Sequence, residues 1–151
     1  RKNPRVIGVK NSSMPTQDIQ MFKAAGKAAK GEFVVFNGPD EQFVGGRTMG
    51  ADGGIGGTYG AMPELYLKIR ELFLAGKMEE ARQIQNDCCR IIYKMCSAEG
   101  NMYAVIKEII RLQGGPDVGG VRAPLLNLTE ADHAVVAEAA QMIADAIAKY
   151  C

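Results

Sequence analysis

A chain of 151 residues is one domain's worth, and 18 Lys+Arg against 17 Asp+Glu leave a formal net charge of +1. That balance gives no electrostatic reason to bind nucleic acid or an anionic membrane surface. With 47% hydrophobic and 23% charged residues the composition is that of a globular chain, not a disordered one, and no window approaches 18 consecutive apolar residues. The first residues carry no apolar signal segment. With no Met at the start and an apolar run beginning at Val6, the chain reads as the C-terminal part of something larger.

The run Arg5-Val6-Ile7-Gly8-Val9 predicts a strand buried on both faces, stopping at Lys10. Thr16 is placed to cap a helix with Ile19, Phe22, Ala25, Gly26 and Ala29 on one face, and Gly31 ends it. Phe33-Val34-Val35-Phe36 predicts a second buried strand. A turn at Asn37-Gly38-Pro39 leads into a short helix over 40–49, with Pro39 as a first helical residue. Residues 50–55 are glycine-rich and poor strand formers, and only the βα rhythm makes them a third strand. Such alternation implies a parallel sheet with right-handed crossovers.

After Gly60 the pattern turns helical. One amphipathic helix carries Leu65, Ile69, Leu72 and Phe73 and ends at Gly76. A second carries Ala81, Ile84, Cys88, Ile91, Ile92 and Met95. A third carries Met102, Val105, Ile106, Ile109 and Ile110 and ends at Gly114-Gly115. A linker with Pro116 and Pro124 leads to a last helix capped by Thr129, with Asp132 three residues on. Three parallel strands cannot close a barrel and leave two bare edges, so the remaining strands are expected from upstream sequence or another chain.

Three features end successive strands, where α/β folds place their sites. Lys10 is either a surface lysine ending a strand or a desolvated amine able to form a Schiff base with a ketone. Asp40 and Glu41 either complement a helix dipole or accept hydrogen bonds from substrate hydroxyls. The run Gly53-Gly54-Ile55-Gly56-Gly57-Thr58 could cradle a phosphate or shape a pocket over a small ketoacid, and no Lys-Ser/Thr follows to make a Walker loop. Four cysteines, Cys88, Cys89, Cys96 and Cys151, make no ligand pattern. They read as reduced residues packed on helices of a cytosolic protein, and the one histidine, His133, as surface structure.

Val6-Ile7-Gly8-Val9-Lys10-Asn11-Ser12-Ser13 resembles the Schiff-base-lysine strand of the pyruvate-dependent aldolases, the dihydrodipicolinate synthase / N-acetylneuraminate lyase superfamily. Phe36-Asn37-Gly38-Pro39-Asp40-Glu41 and the stretch from Gly50 to Tyr59 resemble the seventh- and eighth-strand motifs of its lyase branch. Val118 to Leu125 resembles the segment before the last helix.

The resemblance implies an α/β fold, the C-terminal half of a TIM (β/α)8 barrel. Residues 1–62 would be its last three βα units, and 63–151 the final barrel helix with a C-terminal helical extension. It implies Lys10 as the imine-forming lysine, Ser12, Gly38, Asp40 and Glu41 as contacts to the sugar chain, and Ile55 as packing on the pyruvate unit. Gly57 stands where many lyases have a serine, so only its backbone N–H can donate there. The implied activity is class I aldol cleavage of N-acetylneuraminate, a sialic acid, to pyruvate and N-acetylmannosamine. No metal or cofactor is implied, and the implied assembly is a cytoplasmic homo-oligomer, a tetramer. A proton-relaying tyrosine and a carboxylate-binding loop belong to the N-terminal half of the barrel, upstream of Lys10. The alternatives are another pyruvate-dependent lyase or synthase, or a non-catalytic assembly fragment.

Overall fold

The computed structural model describes residues 3–28 and 33–151. Two compact units divide the chain, Arg1–Gly56 and Gly57–Cys151. In the first, β1 (Gly8–Asn11), α1 (Gln17–Ala28), β2 (Val34–Asn37), α2 (Phe43–Thr48) and β3 (Gly53–Gly54) follow one another. The strands form a parallel sheet in the order β1-β2-β3, as the alternation predicted. Val35, Ile19 and Ala51 form the buried centre, with Val9 and Phe33 packed against it. Lys23 on α1 holds the Asp52 carboxylate at 2.8 Å, and the same carboxylate accepts the Val35 N–H at 2.7 Å. One acidic side chain thereby ties α1, β2 and the approach to β3 together.

Several sequence expectations are corrected here. The first strand begins at Gly8, not Arg5, and Val6 and Ile7 are 48% and 68% exposed. Among the described residues β1 is an edge strand, and α1 covers the side of the sheet that carries Val9 and Val35. Residues 40–49 do not make one helix. A 3-10 turn at Asp40–Gln42 precedes α2, and Pro39 stands outside it in an extended conformation. Pro39 brings no N–H, and Gly45-Gly46 supports a helix poorly, so the segment breaks into two short pieces. The third strand shrinks to Gly53–Gly54, the glycines paying the larger backbone entropy. Hydrogen bonds from Asp52 N–H to the Val35 carbonyl and from Ile55 N–H to the Asn37 carbonyl extend its ladder on both sides. The expected stop of α1 at Gly31 lies outside the described residues.

The second unit opens with a 3-10 turn at Thr58–Gly60. Four helices follow: α3 (Pro63–Leu74), α4 (Met78–Met95), α5 (Met102–Leu112) and α6 (Asp132–Tyr150). Pro63 sits in the first turn of α3, where its missing N–H costs nothing. Gly76 and Gly114 end α3 and α5 with φ of +74° and +84°, a left-handed turn that a Cβ would strain. The apolar faces read from the sequence meet in one core: Leu65 and Ile69 from α3, Ile84, Ile91 and Met95 from α4, Val105 and Ile109 from α5, Ile143 from α6.

Helix α6 starts at Asp132 rather than after Thr129. The buried Asp132 carboxylate accepts the N–H groups of Glu99, Gly100 and Thr129 at 2.7, 3.1 and 2.8 Å. The acid, not the threonine hydroxyl, gathers that corner. Cys88 is buried, but Cys96 and Cys151 are exposed, so not all four cysteines pack as expected. No helix among the described residues is long and apolar enough to cross a membrane.

Candidate active site

The parallel register aligns the carboxyl ends of all three strands. Lys10 pairs with Phe36, which pairs with Gly53; Asn11 pairs with Asn37, which pairs with Gly54. Side chains alternate along a strand, so Lys10 and Phe36 share the face opposite Val9 and Val35. Lys10 therefore projects from the face that α1 does not cover. It is exposed, and among the described residues no carboxylate pairs with it. Among the described residues of the first unit, Lys10 is not covered as a Schiff-base lysine is expected to be.

Past the strand ends the chain closes around small residues. The Gly38 N–H donates to the Asn11 carbonyl at 2.8 Å. A Cβ on Gly38 would lie 2.5 Å from Ser12 Oγ and 2.6 Å from the Asn11 carbonyl oxygen, so glycine lets the Ser12 loop close onto it. The Ser13 hydroxyl donates to Asp18 Oδ2 at 2.7 Å and anchors that loop to α1.

Asp40, 7% exposed, presses its carboxylate against the backbone of Gly56. A Cβ there would overlap Oδ1 and lie 2.7 Å from Oδ2. Glu41 follows in the same 3-10 turn, half-buried. The Ile55 side chain is 47% exposed, its backbone held by the Asn37 carbonyl. The first unit thus brings Lys10, Ser12, Gly38, Asp40, Glu41 and Ile55 to one end of its sheet. Gly57 is exposed and opens the second unit, where a Cβ would lie 2.7 Å from Tyr103 Cε1.

Sequence reasoning missed Asn37 and Gly46 as packing partners at this end, and it read Gly56 as a possible ligand cradle, not as the seat of the Asp40 carboxylate. An asparagine closing a buried strand was the available signal, since asparagine is depleted in strands. Among the described residues no group of three or more His, Cys, Asp or Glu side chains is placed to hold a metal ion.

A parallel α/β sheet with a lysine at one strand's carboxyl end and a paired acid turn at the next defines the class. The chain belongs to the dihydrodipicolinate synthetase family, whose pattern matches residues 1–143. Over 150 residues it is 65% identical to the N-acetylneuraminate lyase of Mediterraneibacter gnavus, covering 99% of this chain and 47% of that protein. The N-acetylneuraminate lyase of Rhizobium meliloti is 34% identical over 140 residues, covering 91% of this chain and 44% of that protein. Among solved structures, the wild-type sialic acid aldolase of Ruminococcus gnavus superposes with a TM-score of 0.93 at 64% identity, over 100% of this chain and 49% of that one. A catalytic lysine mutant of the same aldolase superposes with a TM-score of 0.93 at 63% identity, covering 100% of this chain and 48% of that one. The chain spans about half the length of the curated relatives it matches.

Proposed function

We propose that this chain is the lysine-bearing half of a Schiff-base aldolase that cleaves N-acetylneuraminate to pyruvate and N-acetylmannosamine. The observation that carries this reading is the 65% identity to an N-acetylneuraminate lyase over 99% of the chain. Residues 1–62 then correspond to the last three βα units of a TIM barrel, and 63–151 to its final helix and a helical extension. The first five strands come from upstream sequence or from another chain.

In this reading the Lys10 amine adds to the C2 ketone of the sugar acid and expels water, leaving a protonated imine. The imine draws the electrons of the C3–C4 bond as that bond breaks. The C4 hydroxyl gives up its proton and becomes the aldehyde of N-acetylmannosamine. The resulting enamine takes a proton at C3, and water hydrolyses the imine to free pyruvate and the amine. No metal or redox cofactor enters these steps.

Asp40 and Glu41 accept hydrogen bonds from the hydroxyl chain, and charge-assisted bonds of this kind are the strong ones. Ser12 and Gly38 line the same path, Ile55 packs on the pyruvate unit, and Gly57 offers its backbone N–H. The tyrosine that takes the C4 proton, the carboxylate loop and the cover that removes water from Lys10 belong to the other half of the barrel. The tetrameric assembly and cytoplasmic location implied by the resemblance are part of this proposal, and the solution mass of the assembled enzyme tests the former.

The test is borohydride reduction in the presence of pyruvate. The assembled enzyme is expected to gain the mass of a reduced pyruvate adduct at Lys10. Lys10→Ala and Lys10→Arg are expected to abolish both the adduct and cleavage while preserving the fold. Cleavage by either variant within about tenfold of wild type would overturn the mechanism.

A further inference from the structure

We infer that Asn37 is a positioning residue for the Asp40-Glu41 acid turn, acting through the Pro39 carbonyl and the Gly56 backbone, and so sets use of the polyhydroxylated substrate without touching it. The inference rests on the aldolase reading and adds a residue to it.

Asn37 is fully buried at the carboxyl end of β2. Its side chain lies on the Val35 side of the sheet, away from Lys10 and Phe36. Two of its groups converge on Asp40. The Nδ2 amide donates to the Pro39 carbonyl at 2.6 Å, which fixes the peptide directly preceding Asp40. The Asn37 main-chain carbonyl accepts the Ile55 N–H at 3.0 Å, which fixes the segment entering Gly56. Asp40 rests its carboxylate on Gly56, so one residue holds both the turn that carries the acid and the backbone it lies against.

The side chain is itself wedged in place. A Cβ on Gly46 would overlap Asn37 Oδ1 and lie 2.7 Å from Cγ and 2.8 Å from Cβ. Oδ1 is buried there with no hydrogen-bond partner among the described residues. Leaving a buried carbonyl unsatisfied is unfavourable. A buried leucine or valine at this strand end would avoid that cost, but it could not donate to Pro39. The arrangement therefore trades local stability for the geometry of the turn.

The experiment compares three variants of the assembled enzyme: Asn37→Ala, Asn37→Asp, which keeps the shape but loses the donor, and Gly46→Ala, which pushes the asparagine from behind. Val35→Ala is the control for plain loss of packing. Each is assayed for N-acetylneuraminate cleavage, for cleavage of a short 4-hydroxy-2-keto acid lacking the polyol chain, and for pyruvate trapping at Lys10. The three variants are expected to raise KM for N-acetylneuraminate on the order of tenfold, the effect of one lost hydrogen bond of about 1.4 kcal/mol. The short substrate and trapping are expected to stay within about twofold of wild type.

A fall of all three readouts in parallel, as expected for Val35→Ala, overturns the inference and makes Asn37 structural only. So does failure of both Asn37 variants to fold. Absence of trapping in the wild type instead overturns the aldolase reading. In that case the positioning claim is decided by amide exchange: loss of slow exchange in Asn37→Asp at Gln42, whose N–H donates to the Pro39 carbonyl, with Ile55 on the Asn37 main-chain carbonyl still protected, supports it, and equal loss at both or loss at neither refutes it.

Discussion

Gly56→Ala places a methyl group where the Asp40 carboxylate now lies. The added Cβ overlaps Oδ1 and stands 2.7 Å from Oδ2, whereas ordinary contact begins near 3.4 Å. Asp40 is short and sits on a 3-10 turn whose backbone is tied to Asn37, so its carboxylate leaves the seat rather than shifting within it. If that carboxylate accepts one substrate hydroxyl, the lost charge-assisted bond is worth about 1.5–3 kcal/mol, or about 10- to 150-fold in kcat/KM for N-acetylneuraminate. The methyl itself adds an overpacking cost of about 1–3 kcal/mol to folding, read separately as a lower Tm. Lys10 lies on β1 and Gly56 follows β3, with β2 between those strands, so pyruvate trapping at Lys10 is expected to be unchanged. The assay is steady-state cleavage beside borohydride trapping, on the same preparation of assembled enzyme. A Gly56→Ala enzyme that cleaves the sugar within about twofold of wild type refutes the placement of Asp40 in substrate binding.

Asp40→Asn and Glu41→Gln are expected to lower kcat/KM for the sugar by about tenfold or more while sparing trapping, and equal losses in both assays would remove these acids from the hydroxyl path. In the helical unit, Ile84→Ala, at a site 1% exposed, is expected to cost about 2–5 kcal/mol, checked by denaturant unfolding. The Thr129 N–H, with those of Glu99 and Gly100, holds the Asp132 carboxyl below its usual pKa. Its contribution to stability is therefore complete above the unfolded value near 4 and is lost as pH falls through the lower folded value; Asp132→Asn is expected to flatten acid unfolding in that window. Burial pushes the Cys88 thiol up to about 12, so iodoacetamide near pH 8 is expected to label exposed Cys96 well before Cys88, as peptide mapping will show.

The sequence announced the strands whose burial is carried by their own apolar runs, and the helices whose faces repeat at helical spacing. Val34 and Val35 are β-branched and buried or nearly so, and β2 falls where they are. Gly76 and Gly114 stop α3 and α5 because a left-handed residue is a local property, visible one residue at a time. Lys10, Asp40, Glu41 and the glycine run with Ile55 were legible as one end of a sheet because parallel strands put their carboxyl ends together, whereas Ser12 and Gly38 were singled out only by the family resemblance. What escaped was pairwise. Asn37 needs Gly46 and Asp40 needs Gly56, yet Gly46 alone is an unremarked residue of a short helix, and Gly56 alone is one more glycine in a run that invites a ligand. The exposure of Val6 and Ile7 escaped for the same reason. Val6 and Ile7 have the composition of a buried strand, and only their neighbours decide whether they are covered.

The same pairwise logic decides between the two uses the sequence allowed for the glycine run. A phosphate cradle needs open space in front of the backbone N–H groups, with glycine there to admit the ligand. At two of these positions the space is already filled by the protein. Gly53 lies under the Phe36 ring, 3.3 Å from where a Cβ would be, and Gly56 lies under the Asp40 carboxylate. A carboxylate seated at the backbone also repels a phosphate by like charge. In the second unit Gly57 faces Tyr103 in the same way. In each unit, taken by itself, these glycines admit the molecule's own side chains, the Phe36 ring and the Asp40 carboxylate in the first and the Tyr103 ring in the second, and a backbone already covered in this way is not an anion nest.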